Sequence, residues 1–299
     1  MNTSQTRRDF LKTSTVALAA LSFGGVSISA AAKKRAIKKA IMWSTVGVKG
    51  SILDKMKMVK DAGFLGVEPM GGMNREEVIA AFAETGLKAA SVCCHTHWAK
   101  PLSHPSADTR KVGYDGLILS LEDAKAYGAT SVLLVPGVVK DDVTYQQCFD
   151  RCVPEIQRAA RVAGELGVKI AIENVWNNFV TTPQQAVELM DAINSPHVGW
   201  HFDIGNVGRY SPAEQWIPVI GKRIVKLHIK EFNTKNMTPE KPAAGFGSKF
   251  LEGTNDWPAI MAALDKTGYT GWGIAEQGGG NSPEGLKDLS ERMDKIFAS

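Results

Sequence analysis

A repeated pattern most strongly constrains the fold of this 299-residue chain. A short run rich in Val, Ile and Leu is followed by a longer helical segment, and this unit recurs eight times. Such alternation is typical of parallel strands joined in βαβ units. Five of the helical segments end at glycine, the residue that left-handed helix caps prefer. These glycines are Gly63, Gly86, Gly128, Gly167 and Gly268. The pattern predicts the α/β class and a single (β/α)8 TIM barrel.

The predicted elements fill residues 33–299 without a linker, and a barrel of this kind typically needs about 250 residues. Strands are predicted at 39–45, 66–70, 89–95, 131–136, 169–174, 198–203, 224–230 and 272–276. Helices are predicted at 51–63, 75–86, 110–128, 145–167, 183–194, 212–220, 257–268 and 284–298. An open doubly wound sheet is the alternative, but residues 44–48 lack the glycine-rich turn that usually follows its first strand. The loop 231–255 is long enough to predict a functional role.

The first 32 residues have a different character. Thr6–Lys12 reads Thr-Arg-Arg-Asp-Phe-Leu-Lys, a twin-arginine export motif, and a mildly apolar stretch ending in small residues follows it. We therefore predict a twin-arginine signal peptide at 1–32 and the TIM barrel domain at 33–299. The alternative is a basic N-terminal helix of the mature protein. Export by the twin-arginine route predicts a periplasmic or secreted protein.

Charge and cysteine content limit the partners. The net charge of +4 falls to +2 without residues 1–32, which carry three basic residues and one acidic residue. Such a balance lacks the basic footprint of a nucleic-acid-binding protein. No segment after residue 32 is both long and apolar enough to span a bilayer, which needs about 20 residues, so no stable membrane anchor is expected. The four cysteines are predicted to be buried thiols rather than a disulfide scaffold. The sequence leaves open whether the protein forms a homo-oligomer.

The ends of four consecutive predicted strands carry a carboxylate, a carboxylate, an imidazole and a carboxylate. In a (β/α)8 barrel these ends meet at the face that holds the active site. Charges so crowded need a cation to be stable, and a mostly oxygen donor set suits a hard or borderline divalent ion. We predict one divalent metal ion, with Mn²⁺ favoured and Mg²⁺, Co²⁺ or Zn²⁺ as alternatives. Its predicted ligands, called the ligand quartet below, are Glu173, Asp203, His228 and Glu276.

The sequences around these positions resemble the xylose-isomerase-like superfamily of sugar isomerases and epimerases. The likeness is greatest to tagatose/psicose 3-epimerase-type and hydroxypyruvate-isomerase-type barrels. It rests on the segments 170–174, 201–206, 226–230, 253–257 and 274–276, and it covers essentially the whole chain after residue 32. The resemblance implies the ligand quartet as metal ligands and assigns catalysis to Glu173 and Glu276.

The implied chemistry is proton transfer beside a carbonyl. The metal polarises a substrate carbonyl, one glutamate removes the neighbouring proton, and an enediolate forms. Return of the proton by the second glutamate, to the opposite face, gives epimerisation. Its return to the adjacent carbon gives isomerisation, and a β leaving group would instead be eliminated.

Two departures from the superfamily pattern leave the substrate open. Asn206 stands where several epimerase-like members carry a histidine, and Lys230 or Lys235 would have to replace an arginine after the strand-seven histidine. The endonuclease IV branch is disfavoured, because it needs several more histidines. Further substrate-binding candidates are polar or aromatic residues near strand ends; the full set of candidates is His95, His97, Lys230, Glu68, Trp43, Trp176 and Asn206.

Three functions remain open at this point. The first is a divalent-metal-dependent sugar isomerase or epimerase. The second is a lyase or hydratase that acts on 3-keto-glycosides or 3-keto-sugars with the same metal–glutamate site. The third is a non-catalytic, metal-dependent sugar-binding protein, which two opposed glutamates argue against. In each case the partner is a small carbohydrate.

Overall fold

The computed structural model describes residues 35–299, and its strands form one parallel sheet closed into a barrel. In chain order the strands are β1 Ile37–Met42, β2 Gly66–Glu68, β3 Lys88–Ala89, β4 Val92–Cys93, β5 Ser131–Leu134, β6 Lys169–Glu173, β7 Val198–Asp203, β8 Ile224–Ile229 and β9 Gly271–Ala275. Their order in the sheet is β3-β2-β1-β9-β8-β7-β6-β5-β4. β3 and β4 are consecutive halves of one barrel strand, and a parallel bridge between Met70 and Cys93 joins the two ends of the sheet. The predicted TIM barrel is confirmed.

Nine α-helices occur within residues 35–299. They are α1 Ile52–Asp61, α2 Arg75–Thr85, α3 Ala107–Tyr127, α4 Tyr145–Leu166, α5 Pro183–Ile193, α6 Ile204–Val207, α7 Ala213–Ile220, α8 Trp257–Thr267 and α9 Pro283–Ala298. Local sequence sets most of their ends. Ser51, Thr144 and Thr182 form capping boxes, each accepting a backbone N–H bond from the first turn. None of these helices combines the length and hydropathy of a membrane-spanning segment.

Four of the five predicted glycine caps end a helix in the left-handed conformation. Gly86, Gly128, Gly167 and Gly268 adopt φ between 68° and 72° directly after α2, α3, α4 and α8. Gly63 is different, because Ala62 caps α1 in the right-handed region and Gly63 lies one residue beyond. Any side chain at these φ values would be strained, which explains why the sequence signal is reliable here.

Alternate residues of the strands face opposite sides of the barrel wall, as the period of a β-strand requires. Trp200 and Phe202 of β7 pack outward in the main core beneath the helices. His201 and Asp203, which alternate with these two residues, are fully buried. In register, His201 lies beside Glu173 of β6, and Asp203 lies beside His228 of β8. The inward register therefore collects the polar residues of these strands in the interior.

The barrel interior has an apolar and a polar part. Its apolar cluster is small and comprises Ala40, Met42, Ala90, Cys93, Leu133 and Ile274, with Met70 and Trp272 packed against it. The polar part includes buried Lys226, whose Nζ donates to Thr130 Oγ1 at 2.8 Å. Burial lowers the pKa of Lys226 to about 8. All four cysteines are free and buried, as predicted.

The structure differs from the predicted elements in a few places. The first strand ends at Met42, and Trp43–Thr45 is a 3-10 turn in which Thr45 Oγ1 donates to Met42 O. The third strand is interrupted around Ser91, whose hydroxyl donates to Ser131 O. The short helix α6 was not predicted, and a 3-10 helix spans Pro242–Gly247 of the long loop. The predicted signal peptide, residues 1–32, lies outside the described residues.

Candidate active site

The ligand quartet lies together at the carboxyl ends of four neighbouring strands. Glu173 ends β6, Asp203 ends β7, His228 lies near the end of β8, and Glu276 follows β9. One ligand atom from each lies within 4.8 Å of every other. Four side chains that are far apart in the chain therefore face one point, because the register places all four strand ends on the inward side.

His228 occupies the centre of this group. Its Nδ1 lies 2.8 Å from Glu173 Oε1, 3.0 Å from Glu276 Oε2 and 3.8 Å from Asp203 Oδ2. Its Nε2 points the other way, to Glu68 Oε2 at 2.9 Å, and both of these side chains are fully buried. Glu68 therefore fixes the ring so that Nδ1 faces the three carboxylates, in the way that carboxylates orient metal-bound histidines.

Asp203 is held by the chain around it. Its Oδ1 accepts the backbone N–H of Asn206 at 2.7 Å and caps α6. Asn174 donates to Asp203 O at 2.7 Å and accepts from Asp203 N at 3.1 Å. These contacts leave Asp203 Oδ2 without a hydrogen bond, directed towards the rest of the quartet. The unpredicted helix α6 thus orients a candidate ligand.

Lys230 supplies a positive charge at the edge of the quartet. Its Nζ lies 2.7 Å from Glu276 Oε2 and 3.1 Å from Asp203 Oδ2. It also donates to Asn206 Oδ1 at 3.2 Å. Two sequence-predicted substrate contacts, Lys230 and Asn206, are therefore bonded to each other and both line the cavity described below.

Burial and mutual charge shift the pKa values of Glu173, Glu276 and His228 in different directions. Burial raises the pKa of Glu173 to about 8. Burial would also raise the pKa of Glu276, but Lys230 and His228 outweigh it and hold that pKa well below the ordinary value. Burial would lower the pKa of His228, whereas the carboxylates of Glu68, Glu173 and Glu276 raise it well above its usual range. A bound divalent cation would favour the ionised form of every carboxylate here.

The donor set fits a divalent cation. Four carboxylates, including that of Glu68, converge on one imidazole and one ammonium group, so negative charge is in excess. Buried oxygens of Asp203 and Glu276 accept no hydrogen bond of good geometry even though Lys230 is near. Buried charges without such partners are costly unless an ion compensates them. The quartet could hold that ion through three carboxylates and His228 Nδ1.

A cavity of about 200 Å³ opens above the quartet. Glu173, Lys230, Asn206 and Glu276 form its polar part. The remaining lining is apolar, aromatic or imidazole, and it comprises Met42, Cys93, His97, Trp98, Leu133, Val175, Trp176 and Phe246. Both predicted catalytic glutamates therefore face the space that a small ligand would fill, while Asp203 and His228 lie behind them.

The remaining predicted contacts divide into those that line this cavity and those that do not. His97 lines it, and its Nδ1 accepts the backbone N–H of Val135 at 3.1 Å. Burial lowers the pKa of His97 to about 3, so its ring is neutral and presents Nε2–H. Trp176 also lines the cavity, and its Nε1 donates to Asn206 O at 2.8 Å.

His95, Trp43 and Glu68 are absent from the cavity lining. His95 is exposed and lies beside Gly72. Trp43 is half-buried and lies beneath the Nζ of Lys55. The position of Glu68 under His228 favours an orienting role over the predicted substrate contact.

The long loop after β8, residues 231–255, contributes Phe246 to the cavity lining and is called the roof below. Glu231, which we did not predict, anchors this loop. Glu231 is fully buried and accepts bonds from Leu251 N at 2.8 Å and Trp257 Nε1 at 2.9 Å, besides two other backbone groups. Gln277 adds bonds to Phe246 O and Ser248 O. The loop so held places the Phe246 ring 4.8 Å from that of Trp176.

Sequence reasoning missed Glu231, Trp98 and Phe246. Glu231 follows the candidate Lys230 directly in the sequence, and this position after a strand end was the available signal. Trp98 directly follows the predicted contact His97. An aromatic residue so close to a strand end could have been predicted as a substrate contact. Phe246 lies within the loop that was predicted to be functional, but nothing local marks it as a cavity residue.

Comparison with known proteins agrees with this geometry. The family model described as "Xylose isomerase-like TIM barrel" matches residues 56–296. The chain belongs to this xylose isomerase-like TIM barrel family.

Its relatives include sugar epimerases. An L-ribulose-5-phosphate 3-epimerase, UlaE, of Salmonella paratyphi C is 24% identical over 229 residues, which cover 75% of this chain and 76% of the relative. Among solved structures, the 3-keto-D-glucoside 4-epimerase YcjR from E. coli superposes with a TM-score of 0.71 at 18% identity, covering 87% of this chain and 98% of that one. A D-tagatose 3-epimerase-like protein gives a TM-score of 0.73 at 17% identity, covering 87% and 97%. At these identities the superpositions show the shared fold.

Proposed function

We propose that the protein is a divalent-metal-dependent sugar isomerase or epimerase that moves a proton on the carbon next to a substrate carbonyl. The observation that carries this proposal is the convergence of the ligand quartet at the floor of a small cavity. The epimerase relatives in the same family support the reaction class. Mn²⁺ is the favoured ion because the donor set is mostly oxygen with one imidazole.

The residues of the site have different roles in the proposed reaction. A divalent ion bound to the quartet would polarise the substrate carbonyl and make the neighbouring C–H more acidic. Glu173 and Glu276, both facing the cavity, are the two groups that remove and return the proton. Lys230 places its ammonium group beside Glu276 and favours the charged state of that carboxylate. The aromatic side chains of Trp176 and Phe246 form an apolar wall beside these groups.

The cavity favours an unphosphorylated sugar. Lys230 is the only ammonium or guanidinium group among its lining residues, and both Asp203 and Glu276 already pair with it. A phosphate dianion would find no free cation along the described lining. UlaE is named for a 5-phosphate substrate and YcjR for a keto-glucoside, and the lining argues for a substrate closer to the second.

A lyase or hydratase acting on 3-keto-glycosides is the second candidate. The same proton abstraction would expel a leaving group placed β to the carbanion. The fold neighbour named as a 3-keto-D-glucoside epimerase is the observation that keeps this candidate. A binding protein without catalysis is disfavoured because Glu173 and Glu276 both line the cavity.

One experiment in D₂O separates these functions. Metal-loaded protein is incubated with free ketoses and with 3-keto-glucosides, and products are followed by NMR and mass spectrometry. Incorporation of one deuterium with an intact glycosidic bond indicates an epimerase or isomerase, whereas release of the aglycone indicates a lyase. Tight sugar binding without either outcome would replace the enzymatic proposal with a binding module. Chelator-treated protein, and the same protein reloaded with Mn²⁺, are the matched controls.

We also propose that the chain is exported by the twin-arginine route, on the sequence Thr6–Lys12. Such substrates cross already folded, so the ion would be chosen before export. The test compares the full chain with an Arg7→Lys/Arg8→Lys variant by cell fractionation. Equal amounts of both proteins outside the cytoplasm would contradict this proposal and leave the enzymatic one untouched.

A further inference from the structure

The mouth of the cavity carries an unusually placed tryptophan. Trp98 is 52% exposed, the highest value among the exposed large hydrophobic residues of 35–299. The other members of that set, Leu65, Ile79, Val112, Leu119, Val219 and Leu251, do not line the cavity, whereas Trp98 does. Single exposed apolar residues are ordinary, but a large aromatic face at the mouth of a ligand cavity is informative.

The turn that carries Trp98 is firmly held. His97, its neighbour, is buried and accepts the Val135 backbone N–H, and the two rings meet edge to face at 5.9 Å. Lys100 N donates to Thr96 O at 2.8 Å and closes the turn around the tryptophan. The backbone on either side of Trp98 is therefore held by hydrogen bonds, so ligand binding would have to order little beyond the indole side chain itself.

The size of the cavity limits what it can enclose. Its volume of about 200 Å³ is below the roughly 300–1,000 Å³ of pockets that enclose drug-sized ligands. One sugar ring fills such a space when its carbonyl reaches the quartet. A substituent on that ring must extend outward through the mouth, where Trp98 lies.

The chemistry of Trp98 selects the kind of substituent. An indole face is apolar and electron-rich, and it packs well against the C–H face of a sugar ring or the face of an aromatic ring. No hydrogen bond of Trp98 Nε1 is found within residues 35–299, so this N–H is also available to a ligand hydroxyl. The ring of its neighbour His97 is uncharged near neutral pH, because burial lowers the pKa of His97 to about 3.

Resting on the proposed function, we infer that Trp98 forms a second subsite, which binds the ring attached to the reacting sugar, so that the substrate is a glycoside rather than a free monosaccharide. The inner cavity then holds the ring that carries the carbonyl. The outer ring stacks on Trp98 and adds binding energy outside the reacting centre.

Binding measurements test this subsite without requiring turnover. Methyl and phenyl β-D-glucosides share the inner ring and differ in the outer group, and the Mn²⁺-loaded full chain is titrated with each by calorimetry. We expect the wild-type protein to bind the phenyl compound roughly three- to tenfold more tightly, a range typical of one aromatic contact. Trp98→Ala should abolish this preference and Trp98→Phe should keep most of it.

Ile79→Ala, at an exposed hydrophobic residue outside the cavity lining, is the matched control and should leave the preference unchanged. Absence of a preference in the wild type, or its persistence in Trp98→Ala, overturns the subsite. The corresponding 3-keto-glucosides then provide kinetics, in which Trp98→Ala should raise KM for the phenyl compound and leave kcat near the wild-type value. Loss of deuterium exchange with all substrates while the binding preference remains would contradict the proposed reaction but not the subsite.

Discussion

The two halves of the barrel contribute different chemistry to the same cavity. β6–β9 and the residue after β9 supply the whole ligand quartet. β1, β4 and β5 supply Met42, Cys93 and Leu133, so these strands add apolar side chains and no charged one to a lining whose other apolar residues include Val175, Trp176 and Phe246. The charged half defines where a reaction would occur, and the apolar half defines the space and the dielectric around it. From this separation we expect that ion binding and packing can be altered independently.

Glu68 is the exception that connects the halves. It ends β2, in the apolar half, yet its carboxylate contacts His228 in the charged half. The difference between the halves therefore concerns the cavity surface and does not extend to the layer beneath it. The variants below test this division, from the largest expected effect to the smallest.

Removing a proposed proton-transfer group in the charged half should have the largest effect. Glu276→Gln keeps the size of the side chain but removes its basicity, so we expect deuterium exchange into the substrate to fall by about 10²- to 10⁴-fold. Exchange rates are measured by NMR at a matched metal content. Glu284→Gln, at the start of α9, is the control and should keep its activity. Full activity in Glu276→Gln would contradict the role assigned to this residue.

A truncation in the apolar half should cost stability instead. Leu133 is buried in the barrel interior, and Leu133→Ala should lower the free energy of unfolding by about 2–5 kcal/mol. Urea denaturation measures this change. The Kd for Mn²⁺ should stay near the wild-type value, because Leu133 lines the cavity without belonging to the quartet that would hold the ion. A large loss of metal affinity would show that the halves are not independent.

Glu68 should behave as part of the charged half. Glu68→Ala removes the acceptor for His228 Nε2–H, and metal affinity should fall by about 10- to 100-fold. Glu68→Gln retains an oxygen acceptor and should lose less. Calorimetric titration with Mn²⁺ gives both values, and Glu76→Ala on the exposed start of α2 serves as the control. Unchanged affinity in Glu68→Ala would mean that packing alone orients the imidazole.

His97 predicts a smaller, pH-dependent effect in the apolar half. Burial lowers its pKa to about 3, whereas an unfolded histidine titrates near 6.5. Between these values the unfolded chain binds the additional proton, so stability is lost as the pH falls below about 6.5. Between pH 7 and pH 5, His97→Gln should lose about 1–2 kcal/mol less than the wild type. An identical loss would mean that His97 becomes protonated in the folded protein.

The sequence was sufficient to predict the fold and the convergence of the four quartet side chains, and the reasons are physical. Strand and helix periods differ, so eight alternations were visible without any tertiary information. Parallel strands end at one face of a barrel, so Glu173, Asp203 and His228 could be placed together from their positions alone. Both arguments depend only on local pattern and on topology.

The parts that could not be predicted depend on side-chain directions and long-range distances. His95 and His97 are two residues apart and looked equivalent, yet the turn after β4 exposes one and buries the other against Val135. The contact of Glu68 with His228 joins strands that are 160 residues apart in the chain. Closure of the barrel brings the Glu68 carboxylate to His228, and no local sequence pattern encodes this contact.

The attachment of the roof to Glu231 has a consequence for how this scaffold can change. One buried carboxylate receives both the beginning and the end of the loop, at Phe232 and at Leu251 and Asn255. The intervening residues can therefore be shortened, extended or exchanged while the anchor points keep their separation, since loop length itself costs little free energy. Grafting another segment between these anchors is a direct route to new ligand preferences that leaves the strands and their carboxylates in place.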